Sequence, residues 1–262
     1  MHFHGTEVRQ RALTLLRDGA KNADVARKLG VPLGTVSYWK HKDRATRGEC
    51  PGRHVPVCPR CDGSELAEAA YAYVLGLYLG DGHISLCSAH RAPNLMISLD
   101  DTWPGIQDEA ETALQAVFPA NATCRVRRKG CHNIKVYSTH LTCLFPQHGP
   151  GKKHERRIAL EPWQQDIVDA HPWEFIRGLI HSDGCRITNW TTRLVGGERK
   201  RYEYPRYFFT NKSDDIRALF CDALRAVGIE WTTTSKRGEP LQVSVARKAS
   251  VALMDAHVGP KY

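Results

Sequence analysis

Two stretches of this chain, VLGLYLGDG at 74–82 and IRGLIHSDG at 176–184, constrain its fold more than any other feature. Each sets two small residues four apart, Gly76 with Gly80 and Gly178 with Ser182, then ends in Asp-Gly. Residues at i and i+4 share one helix face, and small ones there let two backbones come close. A glycine inside a helix costs roughly 0.5–1 kcal/mol relative to alanine. A cost taken in both stretches is explained if the two helices pack on each other. Asp81 and Asp183 then meet at the foot of the helix pair, with Gly82 and Gly184 expected as C-caps of positive φ.

The surrounding pattern repeats as well. Helical ELAEAAYAYVLGLYL, strands HISLC and NLMISL, helix IQDEAETALQAVF, strands CRVRRK and NIKVY, and a closing helix from THLTCLFPQ make one pass. A second pass runs from PWEFIRGLIHS, with Pro172 at its helix start. It continues through CRITNWTTRL, RYFFT, SDDIRALFCDALRAV capped by Ser213, WTTT, LQVSV and ASVALMDAH. The order α-β-β-α-β-β-α occurs twice, as an internal duplication would give. The boundaries read as 1–46, a helical module; 47–64, a Pro/Gly/Cys-rich connector; 65–165, repeat 1; and 166–262, repeat 2.

Two carboxylates at helix C-termini face the negative end of each dipole and repel each other. Divalent cations resolve both conflicts, and hard oxygen ligands suit Mg²⁺. These motifs resemble the paired signature helices of LAGLIDADG homing endonucleases of the single-chain, two-motif type. The resemblance implies an α+β fold in which a duplicated core forms a pseudo-twofold β-saddle along the DNA major groove. It makes Asp81 and Asp183 the metal-binding acids beside the scissile phosphates, with the carbonyls of Gly80 and Ser182 as secondary ligands. It also places a basic residue near the catalytic water after each closing helix. Lys152 and Lys261 are the candidates, with Lys153 close behind. Leu79 and His181 stand where that family's motif often has another acid, and His83 and His181 lie near enough to assist.

Strand alternation puts Val126, Ile134 and Val136 under the helices. Arg125, Arg127, Asn133, Lys135, Gln242 and Ser244 then face outward, as side chains that pair with base edges do. NADVARKLGVPLGTVSYWKHKDR resembles a helix-turn-helix, with Val25, Ala26, Leu29, Val36 and Trp39 inside. Thr35, Ser37, Tyr38, Lys40 and Arg44 are its expected DNA-facing residues. In the connector, Cys50, His54, Cys58 and Cys61 offer four ligands for a structural Zn²⁺. The remaining cysteines, Cys143 among them, lack ligand spacing, and those on apolar faces read as small core hydrophobes.

The formal charge of +9 is concentrated in residues 1–63, where 12 Lys+Arg face 6 Asp+Glu, favouring a nucleic-acid partner. The N-terminal residues show no apolar secretion signal and no run is long enough for a membrane span. The expectation is a cytoplasmic, nucleoid-associated monomer acting on double-stranded DNA. Its activity would be Mg²⁺-dependent, site-specific hydrolysis giving a staggered double-strand break. A non-cleaving transcription regulator on the same fold is the alternative, and an RNA-directed maturase a third reading.

Overall fold

The computed structural model describes residues 6–47, 58–85, 92–236 and 239–262. They fall into two compact units, Met1–Val55 and Pro56–Tyr262. In the smaller, helices α1 (Thr6–Arg17), α2 (Asn22–Leu29) and α3 (Leu33–Thr46) close around Ala12, Leu16, Val25, Val31, Val36 and Trp39.

The larger unit begins with a four-residue helix, α4 (Pro59–Asp62), then α5 (Glu68–Gly80). Every residue of α5 from Tyr71 to Leu79 is buried, as expected of a helix apolar on all sides. Strands β1 (Gly82–Ser85) and β2 (Asn94–Asp100), helix α6 (Pro104–Val117) and strands β3 (Thr123–Arg128) and β4 (Cys131–Tyr137) come next. They form an antiparallel sheet in the order β1-β2-β4-β3. After α7 (Leu141–Leu144), α8 (Pro162–Ala170) and α9 (Pro172–Asp183), the pattern recurs. Strands β5 (Gly184–Val195) and β6 (Glu198–Thr210), helix α10 (Asp214–Ala226), strands β7 (Thr232–Lys236) and β8 (Glu239–Val245) and helix α11 (Lys248–His257) complete the chain. The second sheet is ordered β5-β6-β8-β7, the same topology as the first.

The sheets bury one face each. Leu95, Ile97, Leu99, Ile134 and Val136 line the first, and Tyr207, Phe209, Val243 and Val245 the second. Ser213 caps α10 by accepting the Ile216 N–H. Hairpin β5–β6 turns at Gly196 and Gly197, with φ of 62° and 85°, the backbone a tight two-residue hairpin turn requires.

Two expectations change. The closing helix that THLTCLFPQ begins is only the four residues of α7, because Pro146 prevents the helix from continuing. Gly82 and Gly184 are not positive-φ caps; Gly184 has φ −103°. A Cβ at Gly82 would lie 2.4 Å from the Tyr78 Cα, and one at Gly184 2.7 Å from the Ile180 Cα. Close approach to the preceding turn is the property those positions require.

No helix among the described residues is long and apolar enough to cross a membrane.

Candidate active site

Helices α5 and α9 touch backbone to backbone. A Cβ on Gly178 would sit 2.2 Å from the Tyr73 carbonyl oxygen, and one on Gly76 2.6 Å from that of Phe175. At the foot of the pair a Cβ on Gly80 would meet Ser182 Oγ at 2.1 Å and Asp183 Oδ2 at 3.2 Å. The small residues thus bring the two Asp-bearing ends together, as the spacing predicts.

Two clefts open there, and each combines parts of both repeats. One, of about 550 Å³, is lined by Gly80, His83, His148, Lys153, Asp183 and Asn211. The other, of about 240 Å³, is lined by Asp81, Asp100, His181, Ser182 and Lys261. The acid of each repeat therefore faces the helix end and lysine of the other.

Asp81 reaches solvent but is crowded by protein, and with Asp183 nearby its carboxyl is pushed up to about 6. Burial also raises Asp183, opposed by Asn211, whose Nδ2 donates to Oδ2 at 2.6 Å. Lys153 Nζ donates to the carbonyls of Tyr78 (2.5 Å), Leu79 (2.9 Å) and Gly80 (2.6 Å). Lys261 Nζ donates to the Ser182 carbonyl at 2.9 Å. Burial brings Lys153 down to about 8, with Asp183 and Asp81 resisting the shift; Lys261 is lowered for the same reason. The ammonium groups rest on the helix-end carbonyls because those oxygens are the negative pole of the dipole.

Lys152 is a correction. It is exposed and paired with Glu155 at 3.2 Å, while Lys153 turns inward. His181 is buried, with Nδ1 3.0 Å from the Tyr73 hydroxyl. Burial pushes its pKa down to about 3, so it is neutral packing rather than a titrating assistant. Asn211 was not anticipated from the sequence; its signal was its place just after β6, as Asp100 ends β2.

The donor set suits a hard cation: two carboxylates, with the Gly80 and Ser182 carbonyls already drawing positive charge. Without one, the raised Asp81 destabilises the fold as pH rises. A folded-state pKa of about 6 against 3.8 means the folded chain holds the proton more tightly. That stability is present below about pH 4 and lost as pH climbs through 6. The difference corresponds to at most about 3 kcal/mol, which solvent screening at exposed Asp81 reduces to about 1 kcal/mol. Asp81→Asn should raise the melting temperature of the metal-free protein at pH 7.5 by about 2–4 °C, with little change at pH 4. Calorimetry at both pH values checks this.

The outward faces differ from the sequence pattern at β3. Arg125 pairs in register with Ile134 and so lies on the helix side; its guanidinium meets Glu111 and Asp108 of α6, each at 2.6 Å. Arg127 shares that side, and Val126 faces outward beside Asn133. Asn133, Lys135, Gln242 and Ser244 have the expected facing, opposite Ile134, Val136, Val243 and Val245. Neighbours cover Asn133 and Ser244, and Ser98 Oγ donates to Asn133 Oδ1 at 2.9 Å. Hairpin β5–β6 adds basic and aromatic groups, with the Arg201 guanidinium 4.9 Å from the Trp190 ring centre and Arg206 between Tyr204 and Phe208.

In the smaller unit Tyr38 and Arg44 are exposed and Thr35 is half-buried. Ser37 and Lys40 are half-buried too, engaged by Asn22 of α2 at 3.1 and 3.3 Å, so they fasten α3 to α2. Cys58 and Cys61 lie beside His140 and Cys143, their ligand atoms all within 4.8 Å of one another. This corrects the reading of Cys143 as a cysteine without ligand neighbours. Cys50 and His54 lie outside the described residues.

Residues 5–48 match the model of the homeodomain-like domain family. No curated protein sequence matches the chain. Among solved structures it is similar to I-DmoI in complex with DNA and Mn, at 14% identity and a TM-score of 0.50. That match covers 74% of this chain and 98% of the other. I-DmoI with DNA and Ca gives 16% identity, coverage of 74% and 91%, and a TM-score of 0.50. The N-terminal LAGLIDADG domain of DUF199/WhiA gives 13% identity, coverage of 73% and 83%, and a TM-score of 0.46. The larger unit has the duplicated LAGLIDADG fold, and a homeodomain-like helix-turn-helix precedes it.

Proposed function

We propose that this chain is a site-specific, metal-dependent endonuclease that cuts both strands of double-stranded DNA as a monomer. The observation that carries the reading is the convergence of Asp81 and Asp183 at the foot of α5 and α9, each beside the other repeat's helix end. A capping or packing role gives no reason to gather two like charges in a crowded site where burial raises both carboxyls and Asp183 raises Asp81 further. Both acids needed for cleavage are present, which favours a nuclease over a regulator. I-DmoI, similar in fold, was crystallised with DNA and Mn.

A divalent cation, when bound, supplies polarisation of a phosphodiester and a more acidic water. Asp81 and Asp183, with the Gly80 and Ser182 carbonyls, would hold it. Asn211 orients the Asp183 carboxylate by its hydrogen bond. Lys153, with a pKa of about 8, is able to hold or give a proton at Nζ near neutral pH. The β5–β6 hairpin and the outward sheet faces supply groups for backbone and base contacts. The helix-turn-helix extends the contacted length, with Tyr38 and Arg44 as its DNA-facing residues.

The test is cleavage of a randomised duplex library with Mg²⁺, sequencing the ends produced. The reading expects a discrete site broken on both strands; binding of a discrete site with no cleavage would favour a regulator. On the selected site, Lys153→Met should lower the cleavage rate by about 10²-fold. Lys152→Met should leave it within about twofold, since an exposed lysine of this kind contributes little. Single-turnover kinetics separate the two.

A further inference from the structure

The cysteine-histidine group at the start of the larger unit serves neither cleft. We propose that Cys58, Cys61, His140 and Cys143 bind one structural Zn²⁺ that staples α4 to α7. The argument is geometric. Cys61 Sγ lies 3.4 Å from His140 Nδ1 and 3.5 Å from Cys143 Sγ, and Cys143 Sγ lies 3.9 Å from His140 Nδ1. Around a tetrahedral zinc with Zn–S near 2.3 Å and Zn–N near 2.0 Å, ligand atoms stand about 3.5–3.8 Å apart. The observed separations bracket that edge. They are too long for a disulfide, whose sulfurs lie about 2.05 Å apart.

The backbone is arranged to present the ligands. Cys58 N–H donates to Asp62 Oδ2 at 2.9 Å, and the N–H groups of Cys61 and Asp62 both donate to the Cys58 carbonyl at 3.0 Å. These bonds close a tight turn, with Pro59 at the helix start and Gly63 leaving at φ 71°. On the other side His140 caps α7 and accepts the Cys143 N–H at its carbonyl, so each ligand pair sits across one turn. A four-residue helix has no stability of its own in water, and a metal tie is a common substitute for a core. Tyr71 of α5 donates its hydroxyl to the Leu144 carbonyl at 2.5 Å. The staple therefore also fixes the helix end from which the chain runs to Lys153. The ligand set is complete without Cys50 or His54.

The test uses the full chain purified without chelators. Zinc is quantified by elemental mass spectrometry, and thiol accessibility by maleimide labelling with peptide mapping. The proposal expects one zinc per chain. Cys61 and Cys143 should resist labelling until the metal is removed, while exposed Cys185 reacts at once. Cys50→Ser and His54→Ala should keep the zinc, and Cys143→Ser should lose it. Replacement with Co²⁺ in the unaltered chain should give the absorption of a tetrahedral thiolate site, a readout independent of whether variants fold. Absence of zinc and of that cobalt spectrum, a Cys61–Cys143 disulfide in its place, or protection of Cys50 with free labelling of Cys143 would each overturn the assignment. None of these outcomes depends on whether the chain cleaves DNA.

Discussion

Replacing Asp81 and Asp183 together by asparagine is expected to lower double-strand cleavage by about 10³-fold or more, with DNA affinity unchanged or slightly increased. Asparagine keeps the shape of each side chain and one carbonyl oxygen but removes the charge that retains a divalent cation. Removing a single well-placed electrostatic contribution to a transition state costs about 10²–10³-fold, and here both clefts lose theirs. Binding should survive, because the groups proposed to face DNA lie on the sheets and the smaller unit, away from the two acids. Loss of two negative charges beside phosphates can only ease approach. Gel-shift and single-turnover assays on one duplex measure the two effects separately. Equal loss of binding and cleavage would mean that the acids shape the fold rather than the chemistry.

The largest effect on stability is expected from Gly178→Ala. Two influences oppose each other at this site. Alanine favours a helix interior by about 1 kcal/mol over glycine. Its Cβ, however, would stand 2.2 Å from the Tyr73 carbonyl oxygen and 3.0 Å from the Gly76 Cα. Backbone atoms cannot rotate away as a side chain can, so α5 and α9 must separate, and overpacking of a close-packed core costs about 1–3 kcal/mol or more. The steric effect wins. A net loss of about 2 kcal/mol lowers the melting temperature by about 4–8 °C for a unit of this size. Gly34→Ala is the control: it sits in α3 with no atom within 4 Å of the added carbon, so the melting temperature should hold or rise. Separation of the helices would also spread the acids, so cleavage by Gly178→Ala should fall even at temperatures where it stays folded.

The duplicated helix, the doubled αββαββα order and the convergence of the acids were legible because each rests on local spacing. Four residues between small side chains fix a helix face, and the repeat then sets the Asp-Gly ends together. The helix-turn-helix core was legible for the same reason, through Val25, Val36 and Trp39. The features that escaped depend on partners distant in the chain. In β3, Val126 between two arginines reads as the buried residue. Pairing with β4 instead aligns Arg125 with Ile134, and the acids of α6 make that side habitable for a guanidinium. His140 and Cys143 come 79 and 82 residues after Cys61, beyond any in-line ligand motif. Lys152 and Lys153 differ by one position in a loop. Both line the first cleft, and the short turn at Lys153–Glu155, which ties Lys152 to Glu155, leaves Lys153 as the one that reaches the helix-end carbonyls.

The account depends on Asp81 and Asp183 sharing divalent cations with a DNA phosphate. Anomalous scattering from Mn²⁺ in crystals of the chain bound to its selected duplex tests this most directly. The predicted result is manganese about 2.0–2.2 Å from carboxylate oxygens of Asp81 and Asp183, with a phosphate oxygen completing the coordination. Duplex seated on the sheets with no metal at either acid, and Lys153 and Lys261 still resting on the carbonyls of Gly80 and Ser182, would contradict it.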